Sequence, residues 1–500
     1  MENELNQLKA ILNEVIDLRS AQSILDWDQQ VNMPQGGAVG RGYAQSTLAA
    51  LEHTKFTSDE VGTLIQKLEP MLSELPPDSD DASLIRVTRH DFEKATRVPT
   101  QWVADFAQTT VIAQSIWEQA KEESDFSRFK PELEKVVELR RQYSSFFAPY
   151  EHVYDPLLDD FEPGLKTCDV KEVFSALRPE QVALVHAISQ KPQVDDSFLT
   201  IEYPEKMQWD FGVEVISHFG FDWHRGRQDK SVHPFTTSFN TGDVRITTRF
   251  LPDRLASALF GTMHEAGHGL YELGVDPALD RTPLASGASM AIHESQSRMW
   301  ENLVGRSRPF WVYFYPRLQH MFPSHLGSVD LDTFYRGINK VEPSLIRVEA
   351  DEVTYNLHIM LRLELEIALM EGSLEVRDLP EAWNTRMQEY LGVTPPDDAS
   401  GVLQDVHWSA GLFGYFPTYA LGNLVSAQLW EAILADIPDL TQQLEKGTFR
   451  NLLQWLREKV HRHGAKFEPQ DLIQRITGSK IKPEPYLRYL KTKYNVIYSL

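Results

Sequence analysis

The segment LASALFGTMHEAGHGLYELG, residues 255–274, decides how this chain is read. Leu255, Leu259 and Met263 recur at four-residue intervals, so the run is helical, and His264 and His268 fall inside it. Two histidines four apart lie about 40° from each other around a 3.6-residue helix, so both imidazoles can meet one ion. Glu265, one position along, faces the adjacent quadrant, where a water on that ion would sit. This is the H-E-x-x-H spacing of zinc peptidases, in the helical context the motif demands. The competing reading is a pair of surface or capped histidines on a core helix.

A catalytic zinc takes three protein ligands and keeps one position open. Glu272 lies four residues beyond His268, but it is two turns, or ~12 Å, from His264 along the axis. The metzincin spacing would need Gly at 271 and His at 274, where this chain has Tyr271 and Gly274. A carboxylate from a second helix remains. HESQSRMWENLV supplies Glu294, far enough beyond His268 for a loop and an antiparallel return. Met299, Trp300, Leu303 and Val304 continue that helix, and Glu301 is the competing ligand.

Outward from the motif, the chain up to about residue 220 alternates long stretches of three- and four-residue apolar spacing with short breakers, predicting a helical array. Leu5, Leu8, Leu12 and Val15 share one face of its first helix. Breakers fall at Met33–Gly37, at Pro76–Asp81 and at Pro99, and Thr57 with Glu60 has capping-box spacing. Over about 221–250 the period changes. In DVRITTRF, residues 243–250, Val244, Ile246, Thr248 and Phe250 alternate with Asp243, Arg245, Thr247 and Arg249, and Asn240-Thr241-Gly242 ahead supplies a turn. A small antiparallel sheet is therefore expected just before the metal helix, with helices from 251 to 500. The fold class is mainly α, and residues 1–500 read as one domain.

Composition narrows the function. Hydrophobic residues make up 42% and charged residues 24%, as in an ordinary globular protein. Acidic residues outnumber basic ones by 72 to 49, a net charge of −23, which disfavours nucleic acid and anionic membranes as partners. No stretch approaches the ~20 apolar residues of a membrane span. Cys168 is the sole cysteine, so neither a disulfide within the chain nor a cysteine zinc site can form, and a cytoplasmic location fits.

The chain resembles the carboxypeptidase Taq family of metallocarboxypeptidases over most of its length. The resemblance is carried by LDWDQQVNMP (25–34), HPF (233–235), DVRIT (243–247), HEAGH (264–268), HESQSR (293–298), IRVEAD (346–351) and GVLQDVHW (401–408), in that order. It implies an almost wholly helical body with a deep groove, similar to neurolysin and the angiotensin-converting enzymes. It also implies a homodimer, zinc or cobalt as the metal, and stepwise removal of C-terminal residues from peptides.

Residues 401–423 offer His407, Tyr415 and Tyr419, and the resemblance to helical gluzincins suggests that a His and a Tyr from this segment close over the substrate. Tyr419 is the expected oxyanion donor, His407 the contact to substrate backbone, and Tyr415 a further substrate contact; all three could instead pack an aromatic core. An exopeptidase must also bind a free carboxylate, for which a guanidinium fork is suited. Arg347 and Arg245 are the candidates. Arg347 is read as lying on a helix where it could pair with Asp351 four residues on, and Arg245 could pair with Asp243. An oligoendopeptidase is the alternative enzyme, and a metal-binding scaffold without catalysis the alternative class; the latter would have no need of Glu265.

Overall fold

The computed structural model describes residues 2–500. The chain forms two compact units, each assembled from three separated stretches: Met1–Thr96, Asp195–Ile338 and Leu429–Gly478 make one, and Arg97–Val194, Asn339–Gln428 and Ser479–Leu500 the other. Nearly all regular structure is helical, as the apolar spacing predicts. No helix among the described residues is long and apolar enough to cross a membrane.

In the first unit, the opening helix Glu2–Val31 buries Leu5, Leu8, Leu12 and Val15, the predicted stripe, against Phe56, Leu64, Leu68 and Leu279. Each such burial contributes about 1.5–3 kcal/mol, far more than the differences in helix propensity along the segment. The predicted breakers all interrupt helices, at Asn32–Pro34, at Leu75–Ser79 and at Pro99. One cap is shifted. Ser58, not Thr57, starts helix Asp59–Leu68 by accepting a hydrogen bond from Val61 N, because Thr57 bonds back to His53 O instead.

The sheet lies where the alternation places it. It comprises β1 (Gly226–Lys230), β2 (Thr236–Asn240) and β3 (Asp243–Thr248) in the order β1-β3-β2. β2 and β3 form the expected antiparallel hairpin, closed where Asn240 Oδ1 accepts from Gly242 N. β1 adds to the other edge of β3 in parallel, so the sheet is mixed. Val244 and Ile246 turn inward and are fully buried; Arg249 and Phe250 lie beyond the strand. A Cβ at Gly269 would sit 2.9 Å from the Phe221 ring and 3.2 Å from Ile246, so glycine lets the metal helix press onto this sheet.

In the second unit the helix Tyr355–Glu371 is buried on almost every side, which its composition matches: Leu357, Ile359, Met360, Leu361, Leu363, Leu365, Ile367 and Leu369 leave no polar stripe. Four polar residues on it, Asn356, His358, Arg362 and Glu366, are wholly buried, and Arg362 and Glu366 find their partners within the unit, at Asp405 and Trp408.

Candidate active site

The helix Leu255–Glu272 carries the motif, and the helix Met290–Arg298 runs against it. At Gly267 the two backbones meet: a Cβ there would fall 2.6 Å from Ser297 Cα and 2.7 Å from Gln296 O. The glycine inside HEAGH therefore fixes how near Glu294 comes. Nε2 of His264 lies 3.7 Å and Nε2 of His268 3.5 Å from Oε2 of Glu294, with the three ligand atoms all within 4.8 Å of one another. A tetrahedral ion with bonds of about 2.1 Å wants ligand separations of roughly 3.4 Å, so this triangle fits a zinc-sized cation.

The atoms pointing away from the triangle are held. Arg298 Nε donates to Oε1 of Glu294 at 2.7 Å, which leaves Oε2 for the histidines. Nδ1 of His264 meets Oε2 of Glu301 at 2.9 Å, and Arg298 Nη1 reaches the same oxygen at 3.1 Å. Glu301, the competing ligand, thus stands behind His264. It sits in Met299–Val304, a π-helical turn continuing from Met290–Arg298. Glu272, excluded as a ligand by its distance along the helix, contacts His293 at 2.7 Å.

Glu265 is buried beside the triangle, and Thr236 Oγ1 of β2 lies 2.6 Å from its Oε2. Burial pushes the Glu265 carboxyl above the usual carboxylate range, against the pull of His264 and Thr236. A carboxylate with raised proton affinity next to a metal triangle is suited to accept a proton from water.

The second unit holds another polar cluster. Arg347 lies in a short 3-10 turn, Arg347–Glu349, rather than on an α-helix, and is buried. Its partner is Asp405, not Asp351: Nε and Nη2 donate to Oδ1 of Asp405 at 3.0 and 2.8 Å, and Nη1 to the Tyr355 hydroxyl at 3.0 Å. Asp351 instead accepts from the backbone of Val353 and Thr354 at 2.9 and 3.1 Å. The other Asp405 oxygen takes Nε of Arg362 at 2.7 Å. Burial alone would raise Asp405, but the two guanidiniums outweigh it and hold this carboxyl far below its usual range.

His407 Nε2 is 3.3 Å from the Tyr419 hydroxyl, and its ring packs on Phe416 and Tyr415 with centroids 4.3 and 5.6 Å away. Burial, aided by Arg347 and Arg362 and opposed by Asp405, brings His407 down to about 4, so it is neutral near pH 7. Arg347 lies over the Tyr419 ring at 5.0 Å. Arg347, His407, Tyr415 and Tyr419 are thereby gathered in one cluster.

A profile of the carboxypeptidase Taq (M32) metallopeptidases matches residues 7–494. The chain belongs to this family. It is 41% identical to thermostable carboxypeptidase 1 of Thermus thermophilus, covering 97% of each chain. It is 39% identical to carboxypeptidase 1 of Bacillus subtilis, covering 98% of each. The M32 carboxypeptidase structure from Deinococcus radiodurans superposes with a TM-score of 0.97 at 41% identity, covering 100% of both. The chain is accordingly a metallocarboxypeptidase, a peptide hydrolase, and the oligoendopeptidase alternative has no support.

For this M32 member, His264, His268 and Glu294 converge as the spacing predicts, with Glu265 beside them. Arg245 does not stand open: its fork binds Asp243 through Nε and Nη2 at 2.9 and 2.8 Å, and it stacks on Trp27 at 4.2 Å. Sequence reasoning misses Thr236, His293, Arg362 and Asp405. His293 and Asp405 lie within quoted segments, HESQSR and GVLQDVHW, but nothing in their spacing reveals which side chains they touch.

Proposed function

We propose that this metallocarboxypeptidase works with zinc held by His264, His268 and Glu294, cobalt being an alternative, and that Glu265 is the general base. The triangle of two Nε2 atoms and one carboxylate oxygen, 3.5–3.7 Å apart along its two His–Glu edges, carries this reading. Bound there, the ion supplies Lewis acidity and makes water acidic enough to react near neutral pH. Glu265 then takes the proton of the attacking water and delivers it to the leaving amine, and Thr236 keeps its carboxylate turned.

Tyr419 is proposed as the donor to the oxyanion, His407 and Tyr415 as contacts to the substrate, and Arg347 as the clamp on the substrate carboxylate. Arg347 has five N–H donors, of which three are engaged by Asp405 and Tyr355, so its guanidinium retains two. Arg245, its fork committed to Asp243, is the second candidate. The family match over residues 7–494 supports one catalytic domain. The solitary Cys168 supports a cytoplasmic setting, and the family resemblance supports a homodimer.

The deciding experiment compares a peptide pool bearing free C-terminal carboxylates with the same pool amidated, alongside metal analysis of the purified protein. Stoichiometric zinc and stepwise C-terminal release from the free acids alone are expected. Equal cleavage of both pools would defeat the carboxylate clamp, and activity surviving complete metal removal would defeat the metal assignment.

A further inference from the structure

The two metal-facing imidazoles are not backed in the same way. His264 rests directly on a carboxylate, Glu301, at 2.9 Å. His268 rests on another imidazole: its Nδ1 is 2.5 Å from Nδ1 of His293, and Nε2 of His293 is 2.7 Å from Oε1 of Glu272. The buried ring of Tyr271 packs on His293 with centroids 5.2 Å apart, and a Cβ at Gly287 would fall 2.8 Å from the same ring. The His293 ring is therefore confined.

Two ring nitrogens at hydrogen-bond distance need one proton between them, and geometry dictates whose it is. Nε2 of His268 faces Glu294, so as a ligand it must present a lone pair, and its N–H is then on Nδ1. Nδ1 of His293 must accept that proton's bond, which puts the His293 N–H on Nε2, directed at a carboxylate oxygen that can only accept. The chain from Glu272 to His268 is self-consistent in one tautomer and frustrated in the others.

We propose that His293 and Glu272 form a two-residue positioning relay that fixes the tautomer and orientation of His268 for metal binding, an inference that rests on the zinc site proposed above. Glu272 and His268 belong to the same helix and His293 to the next, so the relay also ties Leu255–Glu272 to Met290–Arg298 at the ligand itself. A residue set aside as too distant to be a ligand acquires a role through an intermediate ring. Neither His293 nor Glu272 touches substrate or metal in this scheme.

Zinc affinity, measured by competition with a chelator, tests it on the full-length protein. His293→Leu and Glu272→Ala should each weaken zinc binding by about 10- to 100-fold, as losses behind a ligating histidine typically do. His293→Gln, whose amide can accept from His268 and donate to Glu272, should recover most of that loss. Each variant is assayed well below the melting temperature of its metal-free form, which should fall in His293→Leu and Glu272→Ala because a bond between the two helices is lost, and less in His293→Gln. Should His293→Leu fail to fold, Glu272→Ala decides alone. Folded variants that hold zinc as tightly as the unmodified protein overturn the relay, and so does a loss in His293→Gln equal to that in His293→Leu. An unmodified protein that binds no zinc would overturn the metal site itself, a distinct result.

Discussion

Glu301 meets His264 on Nδ1, the ring nitrogen opposite the one that faces Glu294. Of two carboxylates seven positions apart, one therefore lies in the ligand triangle and the other braces it. Glu294→Ala should strip the metal, because two imidazoles alone make a poor site. Glu301→Ala should keep it with an affinity lowered by about 10- to 100-fold. Inductively coupled plasma analysis after dialysis separates them; zinc lost from the Glu301 variant and kept by the Glu294 variant would reverse the two roles.

Thr236 Oγ1 lies 2.6 Å from Oε2 of Glu265, the proposed base. Glu265→Gln should leave zinc content and melting temperature unchanged while kcat falls by several orders of magnitude. Thr236→Val removes the hydroxyl that lies 2.6 Å from Oε2 and 3.0 Å from the backbone O of Glu265, so a fall in kcat of about tenfold is expected, with KM nearly constant. Thr236→Ser should restore it. Zinc lost together with activity in Glu265→Gln would make that residue a ligand and not the base.

For Arg347 the buried pair with Asp405 adds a stability cost to the specificity change. Removing one partner of a buried ion pair costs about 3–5 kcal/mol, and less here because Arg362 still holds Asp405. Arg347→Ala should thus lower the melting temperature, and at a temperature where it is folded should reduce kcat/KM for free-acid peptides by roughly 10- to 200-fold. Residual cleavage of amidated peptides should barely change. Arg347→Lys should recover little, since an ammonium cannot reproduce the planar fork. Equal losses on both substrates would show that Arg347 only positions its neighbours Tyr355 and Tyr419, and Arg245 would become the clamp.

Glu366 gives the fold a pH dependence away from the metal ligands. It is fully buried and accepts from Trp408 Nε1 at 2.9 Å, Gly414 N at 3.0 Å and the Tyr154 hydroxyl. Burial pushes it up to about 7 from an ordinary 4.5, against those three bonds. With the folded value above the unfolded one, its contribution is fully present below pH 4.5 and is lost as pH rises through about 7. The loss amounts to about 3 kcal/mol. Urea unfolding from pH 4.5 to 8 should show this slope, and Glu366→Gln, less stable overall because an amide N–H would face donors, should remove it. An unchanged slope in that variant would assign the effect to other groups.

What could be read in the sequence was what lies close along the chain. The i,i+4 histidines, the inward alternation of Val244 and Ile246, and the apolar stripe of the first helix each depend on neighbours within one or two turns. β1 escaped because Arg-Gln-Asp-Lys has no apolar alternation; its place is set by pairing with β3. Periodicity offers Arg347 only a local partner such as Asp351, whereas Asp405, the partner it has, is 58 positions away. Glu294 could be placed beside the two histidines because a ligand shortage called for a carboxylate there. Nothing comparable demanded His293, whose partners become visible only when two helices are packed at Gly267.

The interleaving of the two units bears on how the protein is made. The chain passes from one to the other at Thr96/Arg97, Val194/Asp195, Ile338/Asn339, Gln428/Leu429 and Gly478/Ser479. On the ribosome, His264, His268 and Glu294 emerge long before Leu429–Gly478, the last stretch of their own unit. A nascent chain that exposes finished metal ligands on an unfinished body must hold them through the synthesis of more than a hundred further residues, so this unit, unlike a domain built from one contiguous stretch, closes only near the end of translation.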